Sequence, residues 1–178
     1  MMNEERIRSS NSFDSVYEYV FPVLMRVAYH ITEDMAVAED LCQEAFIRYY
    51  NRNISFPDKE QAKYWLIRVV KNLALNYDKR SRRERRAYDR VLKEPERLQT
   101  SAETELIKKE ITDTVQKALS KLPQKLRTVL VLKEYGNLSY REIASMLHIT
   151  ESNVKVRVFR ARALLEELLG EEEIDYVS

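Results

Sequence analysis

The sequence predicts an all-α fold of two small helical domains joined by a flexible linker, the C-terminal one containing a helix-turn-helix. Two glycines and four prolines in 178 residues leave little material for hairpin turns or phosphate-binding glycine loops. Apolar side chains recur at steps of three and four residues over most of the length, which is the spacing of amphipathic helices. A basic and polar stretch in mid-chain interrupts this pattern and divides it in two.

The first domain, residues 1–86, is predicted to contain three helices. The first runs from Phe13 to Ile31, and Pro22 in its middle either kinks it or starts a second helix. The next carries an apolar stripe from Ala38 to Tyr49 and is ended by "NRNISFPD". The third runs from about Gln61 to Lys79. Packed together, the three stripes form a first helical unit.

The composition changes abruptly after the third helix. The segment "KRSRRERR", residues 79–86, carries six basic residues and one acidic residue, and a polar stretch follows it. A segment so poor in large apolar residues cannot bury much surface. The chain here is therefore interpreted as a tether, with residues 87–104 as the linker.

The second domain, residues 105–178, is predicted to open with a helix from about Glu105 to Ser120. Pro123 suits the first turn of another helix, which Gly136 ends. The run from Val129 to Leu132 fits a buried strand as well, but the lack of an evident partner strand favours the helix. The acidic tail "EEEIDYVS" is expected to be frayed.

A helix-turn-helix is predicted within "SYREIASMLHITESNVKVRVFRAR". Ser139 followed by Glu142 matches the capping box that begins a helix. Thr150 is a good cap for a second helix, which leaves only "HI" between the two. The small side chain of Ala144 lies where the two helices would cross.

The second helix of this pair has two distinct faces at 100° per residue. Its buried side is predicted to hold Val154, Val158, Ala161 and Leu165. Facing outward are Ser152, Lys155, Val156, Phe159 and Arg160, with Asn153, Arg157 and Arg162 at the flanks. Cations attract phosphates, whereas hydrogen-bonding and apolar groups read base edges and thymine methyls. A merely solvated face is the alternative, which the exposed Phe159 beside a cap and a tight turn disfavours.

The third helix of the first domain carries a second candidate nucleic-acid surface. Trp65, Arg68, Asn72, Asn76 and Lys79 share one face, and Arg80, Arg82 and Arg83 follow directly. A ring for stacking, amides for base edges and cations for phosphates suit a single strand. The alternative places Trp65 in the core and the remaining side chains in water.

The preceding helix carries an acidic face opposite its apolar stripe. This face comprises Glu39, Asp40, Gln43, Glu44, Ile47 and Tyr50. Carboxylates repel nucleic acid, so exposed Ile47 and Tyr50 among them indicate a protein partner with basic residues. A solvated acidic face is again the alternative.

Several other classes of protein are disfavoured by composition. Thirty basic and twenty-nine acidic residues give a formal charge of +1, so net charge alone predicts no polyanionic partner. One cysteine and two histidines are a poor supply for a zinc site, and no cofactor is expected. Cys42 is interpreted as a small core residue and His30 with Glu33 as a pair at a helix end, so no enzyme is predicted. With no secretion signal and no membrane-spanning run, a cytoplasmic protein without membrane insertion is expected.

Three segments in order resemble bacterial RNA polymerase sigma factors of the extracytoplasmic-function (ECF) group. They are "DMAVAEDLCQEAFIRYYN", "KYWLIRVVKNLALNYDKRSRRERR" and the helix-turn-helix stretch. The resemblance covers roughly residues 13–86 and 105–169. It implies a subunit that binds core RNA polymerase, recognises promoter DNA and helps to open it.

Site roles follow from this resemblance by position. Asp40, Gln43 and Glu44, with Ile47 beside them, would meet the clamp helices of the largest polymerase subunit. The face from Trp65 to Lys79 and the following arginines would engage the minus-10 element as it melts, while residues 51–60 would hold a flipped base. Ser152, Asn153, Lys155, Val156, Arg157, Phe159 and Arg160 would bind the minus-35 element as duplex.

Some positions depart from the family pattern. Asn76 stands where aspartate is frequent, His148 where glycine is frequent, and Val156 where serine is frequent. Ser152 and Asn153 replace a common Gly-Thr pair. The resemblance also implies control by an anti-sigma factor. The rival hypothesis is a helix-turn-helix regulator acting without polymerase, which would give the Asp40 face and the Trp65 face no task.

Overall fold

The computed structural model describes residues 12–52, 55–88 and 113–177, and these residues form seven helices and no strand. The helices are α1 (Phe13–Thr32), α2 (Met35–Asn51), α3 (Lys59–Tyr88), α4 (Asp113–Lys121), α5 (Gln124–Glu134), α6 (Tyr140–Leu147) and α7 (Glu151–Val177). The predicted all-α fold is confirmed. Across these ranges, every helix is too short or too polar to span a bilayer.

The chain divides into two compact units, Met1–Glu105 and Leu106–Ser178. The predicted linker, residues 87–104, lies outside the described residues apart from Ala87 and Tyr88, which belong to α3. The exact domain boundaries at residues 86 and 105 therefore stay predictions.

The first unit is a three-helix core. Ser12 begins α1 by accepting a hydrogen bond from the N–H of Ser15 at 3.3 Å, and Asp34 begins α2 in the same way with Val37 at 3.0 Å. The buried side chains include Val20, Leu24, Val27 and Ile31 from α1, Ala38, Cys42 and Ala45 from α2, and Leu66, Val70 and Ala74 from α3. Each of the three sets contains members of the apolar stripe that the spacing predicts.

Pro22 lies inside α1, which continues unbroken to Thr32. The alternative that Pro22 starts a second helix is therefore wrong. A proline inside a helix removes one backbone hydrogen bond. The neighbours Phe21, Leu24 and Met25 are buried in the core, and their burial favours a continuous helix over a break at this position.

The basic segment continues α3 as far as Tyr88, so the prediction that the helix ends at Lys79 is wrong. Two ion pairs one turn apart lie within it. Arg82 Nε is 3.1 Å from Asp78 Oδ1, and Arg80 Nε is 2.8 Å from Glu84 Oε1. Arginine and glutamate have high helix propensity, and such pairs add a few tenths of a kcal/mol each. Charge composition that is typical of a tether is equally typical of a solvated helix.

The second unit packs α4, α5 and α6 against α7. Its core includes Leu119 and Leu122 near the end of α4, Leu130 of α5 and Ala161 of α7. The run from Val129 to Leu132 is buried and helical, so the strand alternative is wrong. A helix segment buried on all sides gives no periodicity, which explains the ambiguity in the sequence.

Gly136 follows the end of α5, where the chain turns back toward α6. Its N–H donates to the carbonyl of Val131 at 3.1 Å. A Cβ atom at this position would lie 2.7 Å from the carbonyl oxygen of Leu132, so close packing of backbone on backbone excludes a side chain.

The two ends of this unit are the helix predicted from Glu105 and the acidic tail. The helix predicted from Glu105 is described only from Asp113, since residues 105–112 lie outside the described ranges. The acidic tail was expected to be frayed, but α7 continues through it to Val177.

Candidate nucleic-acid and partner interfaces

The outer face of α2 presents the predicted acidic surface. Asp40 and Gln43 are exposed, and Ile47 and Tyr50 are exposed by 55% and 72%. Glu44 is half-buried, and its Oε1 accepts a hydrogen bond from Arg48 Nε at 2.8 Å. The face therefore combines negative charge with exposed apolar surface. This combination suits a basic protein surface.

The candidate nucleic-acid surface predicted for the third helix lies on α3 and has the expected polar and cationic side chains. Arg68, Asn72, Asn76 and Lys79 are exposed. Trp65 is half-buried, so it is neither a core residue nor a free ring. Its ring centre lies 6.2 Å from the ring centre of Tyr49 and 6.0 Å from that of Phe56. Packing against these two rings fixes the orientation of the indole and leaves part of it accessible.

A cavity of about 470 Å³ opens between the end of α2 and the middle of α3. It is lined by Arg48, Asn51, Arg52, Trp65, Arg68, Val69 and Asn72. The guanidinium carbon of Arg52 lies 5.8 Å from the centre of the Trp65 ring. Three cations, two amides and an indole can bind a phosphate, a base edge and a base face within one site.

The basic end of α3 is partly neutralised by its own carboxylates. The side chains of Lys79, Arg80, Arg82 and Arg83 are exposed. Arg80 pairs with Glu84 and Arg82 pairs with Asp78. Among the described residues, Lys79 and Arg83 form no ion pair. At 100° per residue, Lys79 and Arg83 continue the face of Trp65 along the helix.

The helix-turn-helix is built as the sequence predicts. Ser139 and Glu142 form the capping box: Ser139 Oγ accepts from the Glu142 N–H at 3.2 Å, and Glu142 Oε2 accepts from the Ser139 N–H at 2.7 Å. His148 ends α6 in the left-handed conformation with φ 55°, and Thr150 Oγ1 caps α7 at 3.2 Å from the Asn153 nitrogen. The left-handed position explains why glycine is suited to residue 148.

One face of α7 is buried and the other is open. Val154, Val158 and Ala161 are buried as predicted, and Leu165 is half-buried. The predicted outer residues Ser152, Asn153, Lys155, Val156, Phe159 and Arg160 are all exposed, and Arg157 is half-buried. Arg162 pairs with Glu134 of α5 at 2.5 Å and thereby ties α7 to the rest of the unit.

Comparison with known proteins decides the family. The Sigma-70 region 2 model matches residues 16–86, and the Sigma-70 region 4 model matches residues 112–165. The ECF RNA polymerase sigma factor SigW of Bacillus subtilis is 30% identical to the chain over 185 residues, which cover 95% of the chain and 97% of that relative. The chain belongs to the ECF RNA polymerase sigma factors.

Further relatives agree with this sigma-factor assignment. SigM of Bacillus subtilis is 29% identical and covers 88% of the chain and 94% of its own length. The sigma-H factor of Pseudomonas aeruginosa is 34% identical over 76% of the chain and 75% of that factor. A solved structure of the sigma factor RpoE of Bartonella quintana, in complex with the anti-sigma factor NepR, matches 89% of the chain with a TM-score of 0.69 and 26% identity.

Sequence reasoning missed one cavity residue of the sigma factor. No role for Arg48 is predicted from the sequence, yet it lines the cavity beside Arg52 and pairs with Glu44 of the acidic face. The four-residue step from Arg48 to Arg52 was an available signal, since it places both cations on one side of α2. The two residues 53 and 54 of the predicted base-binding loop lie outside the described residues.

Two of the side chains considered for enzyme chemistry, Cys42 and His30, lie in the core. Cys42 is fully buried, and burial raises the pKa of its thiol well above the ordinary range. A thiol held neutral is a poor nucleophile. His30 is buried near the end of α1, whereas Glu33 is exposed beyond it. Among the described residues no cluster of three or more histidine, cysteine or acidic side chains forms a metal site.

Proposed function

We propose that this sigma factor binds core RNA polymerase through the outer face of α2 and engages two promoter elements, one with each unit. The observation that carries the proposal is that the first unit has two chemically different surfaces. An acidic face with exposed apolar groups lies on α2, and the cationic cavity with the partly exposed indole lies between α2 and α3.

Polymerase binding is assigned to Asp40, Gln43, Glu44 and Ile47. Carboxylates would be repelled by DNA phosphates, so this face requires a different partner. A basic helix of the polymerase would pair with Asp40 and Glu44 and cover Ile47, whose exposed apolar surface gains from burial. Tyr50, also exposed, extends the same surface.

Minus-10 recognition and melting are assigned to the α3 face and the adjoining groove. A base leaving the duplex loses a few kcal/mol of stacking and pairing. Stacking on Trp65 can recover about 1–3 kcal/mol of that loss. Asn72 and Asn76 can bond to base edges, while Arg68, Lys79, Arg80, Arg82 and Arg83 bind the backbone phosphates.

Minus-35 recognition is assigned to the open face of α7. Residues near the start of the second helix in a helix-turn-helix reach base edges in the major groove. Ser152, Asn153, Val156 and Phe159 are suited to base edges, whereas Lys155, Arg157 and Arg160 are suited to phosphates and guanines. Lys155 is held near this face by Glu151 at 3.4 Å.

Control by an anti-sigma factor is part of the proposal. It is supported by the similarity to RpoE, which was solved with the anti-sigma factor NepR. The protein would then act in the cytoplasm as a dissociable polymerase subunit and not as an enzyme. An anti-sigma factor that covers the α2 face would compete directly with polymerase.

The test compares promoter binding by the purified chain with binding by the chain plus bacterial core polymerase. We expect weak, salt-sensitive duplex binding by the chain alone and stable, opened complexes only with core polymerase present. Tight, sequence-specific binding by the chain alone, unchanged by core polymerase, would instead support the helix-turn-helix regulator that acts without polymerase.

A further inference from the structure

The open face of α7 has an apolar centre. At 100° per residue, Val156 lies about 180° from the buried stripe formed by Val154, Val158 and Ala161. Its side chain is 47% exposed, and the neighbouring Phe159 is 74% exposed. Ser152 lies one turn before Val156 and Arg160 one turn after it. The part of the helix that projects farthest from the unit is therefore hydrocarbon, with polar groups around it.

Local stability gives no reason for this arrangement. Valine has a lower helix propensity than lysine, glutamate or alanine, and an exposed position gains nothing from its apolar surface. The α7 helix already has the Thr150 cap and the Arg162–Glu134 ion pair, neither of which involves Val156. A contact outside the unit accounts better for an apolar residue at this point.

A β-branched side chain is also well prepared for such a contact. In a helix, valine keeps one strongly preferred rotamer, so its two methyl groups point in a fixed direction before any partner binds. Little conformational entropy is then lost on contact. Among the groups that duplex DNA displays in the major groove, the one of matching chemistry is the 5-methyl group of thymine.

We propose that Val156 is a specificity-determining residue that contacts a thymine 5-methyl group in the minus-35 duplex, with Phe159 extending the apolar contact to a neighbouring base pair. The inference rests on the proposed function and deepens it, because it names the base chemistry that α7 selects. Side chains three residues apart on a helix are about 5–6 Å apart at Cβ, and neighbouring bases are about 3.4 Å apart along the duplex. The apolar surface formed by Val156 and Phe159 can therefore reach two successive base pairs.

The experiment removes single methyl groups from the DNA. A promoter is first selected by transcription from a random library with the complete chain and core polymerase. Each thymine of its minus-35 element is then replaced by deoxyuridine, which lacks only the 5-methyl group, and the affinity of the holoenzyme is measured by competition. We expect the affinity to fall about fourfold at one or two positions, which is the effect of losing one methyl-sized apolar contact.

Variants assign that loss to a residue. With Val156→Ala or Val156→Ser, the deoxyuridine penalty at one position is expected to fall below twofold, whereas Val156→Ile retains it. Ala163→Ser is the matched control, because Ala163 is exposed on the same helix about two turns farther along and should keep the full penalty. Val156 is not part of the core, and circular dichroism verifies that each variant is folded.

The outcomes separate this inference from the function on which it rests. A holoenzyme that opens its promoter but is indifferent to every deoxyuridine, or shows the same penalties with Val156→Ala, overturns the role of Val156 and leaves the proposed function standing. If the chain with core polymerase selects no promoter at all, the proposed function fails and the inference fails with it.

Discussion

The guanidinium of Arg52 lies over the ring of Trp65, with its central carbon 5.8 Å from the centre of the indole. The two residues come from opposite sides of the cavity, since Arg52 follows the end of α2 and Trp65 lies in α3. The contact holds a cation over an aromatic face in the absence of DNA. If Trp65 stacks on a base as proposed, that base must share or displace this contact.

Replacing the indole should impair promoter opening more than polymerase binding. Because stacking on an aromatic side chain is worth about 1–3 kcal/mol per base, Trp65→Ala is expected to reduce the open-complex equilibrium about 5- to 150-fold. Trp65→Phe retains a stacking surface and should lose much less. Permanganate reactivity of unpaired thymines measures opening, and core-polymerase affinity is the control. An equal loss in both assays would point to damaged folding of the first unit.

Substitutions on the acidic face of α2 should impair polymerase binding and leave DNA binding intact. Asp40→Ala and Gln43→Ala are expected to weaken binding to core polymerase, because both side chains are exposed and available to a partner. The salt-dependent binding of the free chain to duplex DNA should be unchanged. Glu18→Ala, an exposed carboxylate on α1, is the matched control and should bind polymerase normally. If the Glu18 variant lost as much affinity, general charge rather than the α2 face would be responsible.

The two glycines should respond to alanine in opposite directions. A Cβ at Gly136 would lie 2.7 Å from the Leu132 carbonyl oxygen, so Gly136→Ala should destabilise the second unit by about 1–3 kcal/mol. Gly170 lies within α7 with no atom within 4 Å of an added Cβ. Gly170→Ala should therefore stabilise by about 0.5–1 kcal/mol, because glycine is a poor helix former. Urea unfolding compares the two, and equal effects would contradict the close contact at Gly136.

Acid should weaken the contact between α1 and α3 through Glu60. Lys63, whose Nζ lies 2.5 Å away, and the hydroxyl of Tyr19 donate to its carboxylate and lower the pKa of Glu60 below its ordinary value of 4.5. The resulting stability is present above pH 4.5 and is lost as the pH falls through the lower folded-state pKa. The effect should be below about 1 kcal/mol, because the carboxylate is largely exposed.

Glu60→Gln isolates this contribution, since glutamine keeps hydrogen-bonding groups but does not titrate in acid. Unfolding free energies measured from neutral pH down to acid should fall less steeply for the variant than for the unaltered chain. Parallel pH profiles for the two proteins would show that other carboxylates carry the acid sensitivity.

Local signals in the sequence were sufficient for most of the fold. The apolar stripes of α1, α2 and α7, the Ser139 capping box and the Thr150 cap depend only on residues a few positions apart, and all are present. The length of α3 was underestimated because a run of arginines looks the same in a solvated helix as in a tether. The pairs of Asp78 with Arg82 and of Arg80 with Glu84 distinguish the two.

The candidate site was predictable only in part. Helical spacing was enough to place Asn72, Asn76 and Lys79 on one face. The cavity was not predictable, because it depends on how closely the end of α2 approaches α3, and that distance is set by the packing of Tyr49 and Phe56 against Trp65. The spacing of Arg48 and Arg52 indicates that the two cations are neighbours, but their place in the cavity depends on the same tertiary contacts. The half-buried state of Trp65 also follows from tertiary contacts and not from periodicity.

Sigma-factor activity is tested by transcription with core RNA polymerase on a library of random promoter sequences, with and without the chain. We expect abundant transcripts only when both proteins are present, from promoters that share two short elements, an upstream duplex element and one that melts near the start site. Transcription no greater than with core polymerase alone, or enrichment of a single element that the chain binds equally well without polymerase, would show that the chain does not act as a two-element sigma factor.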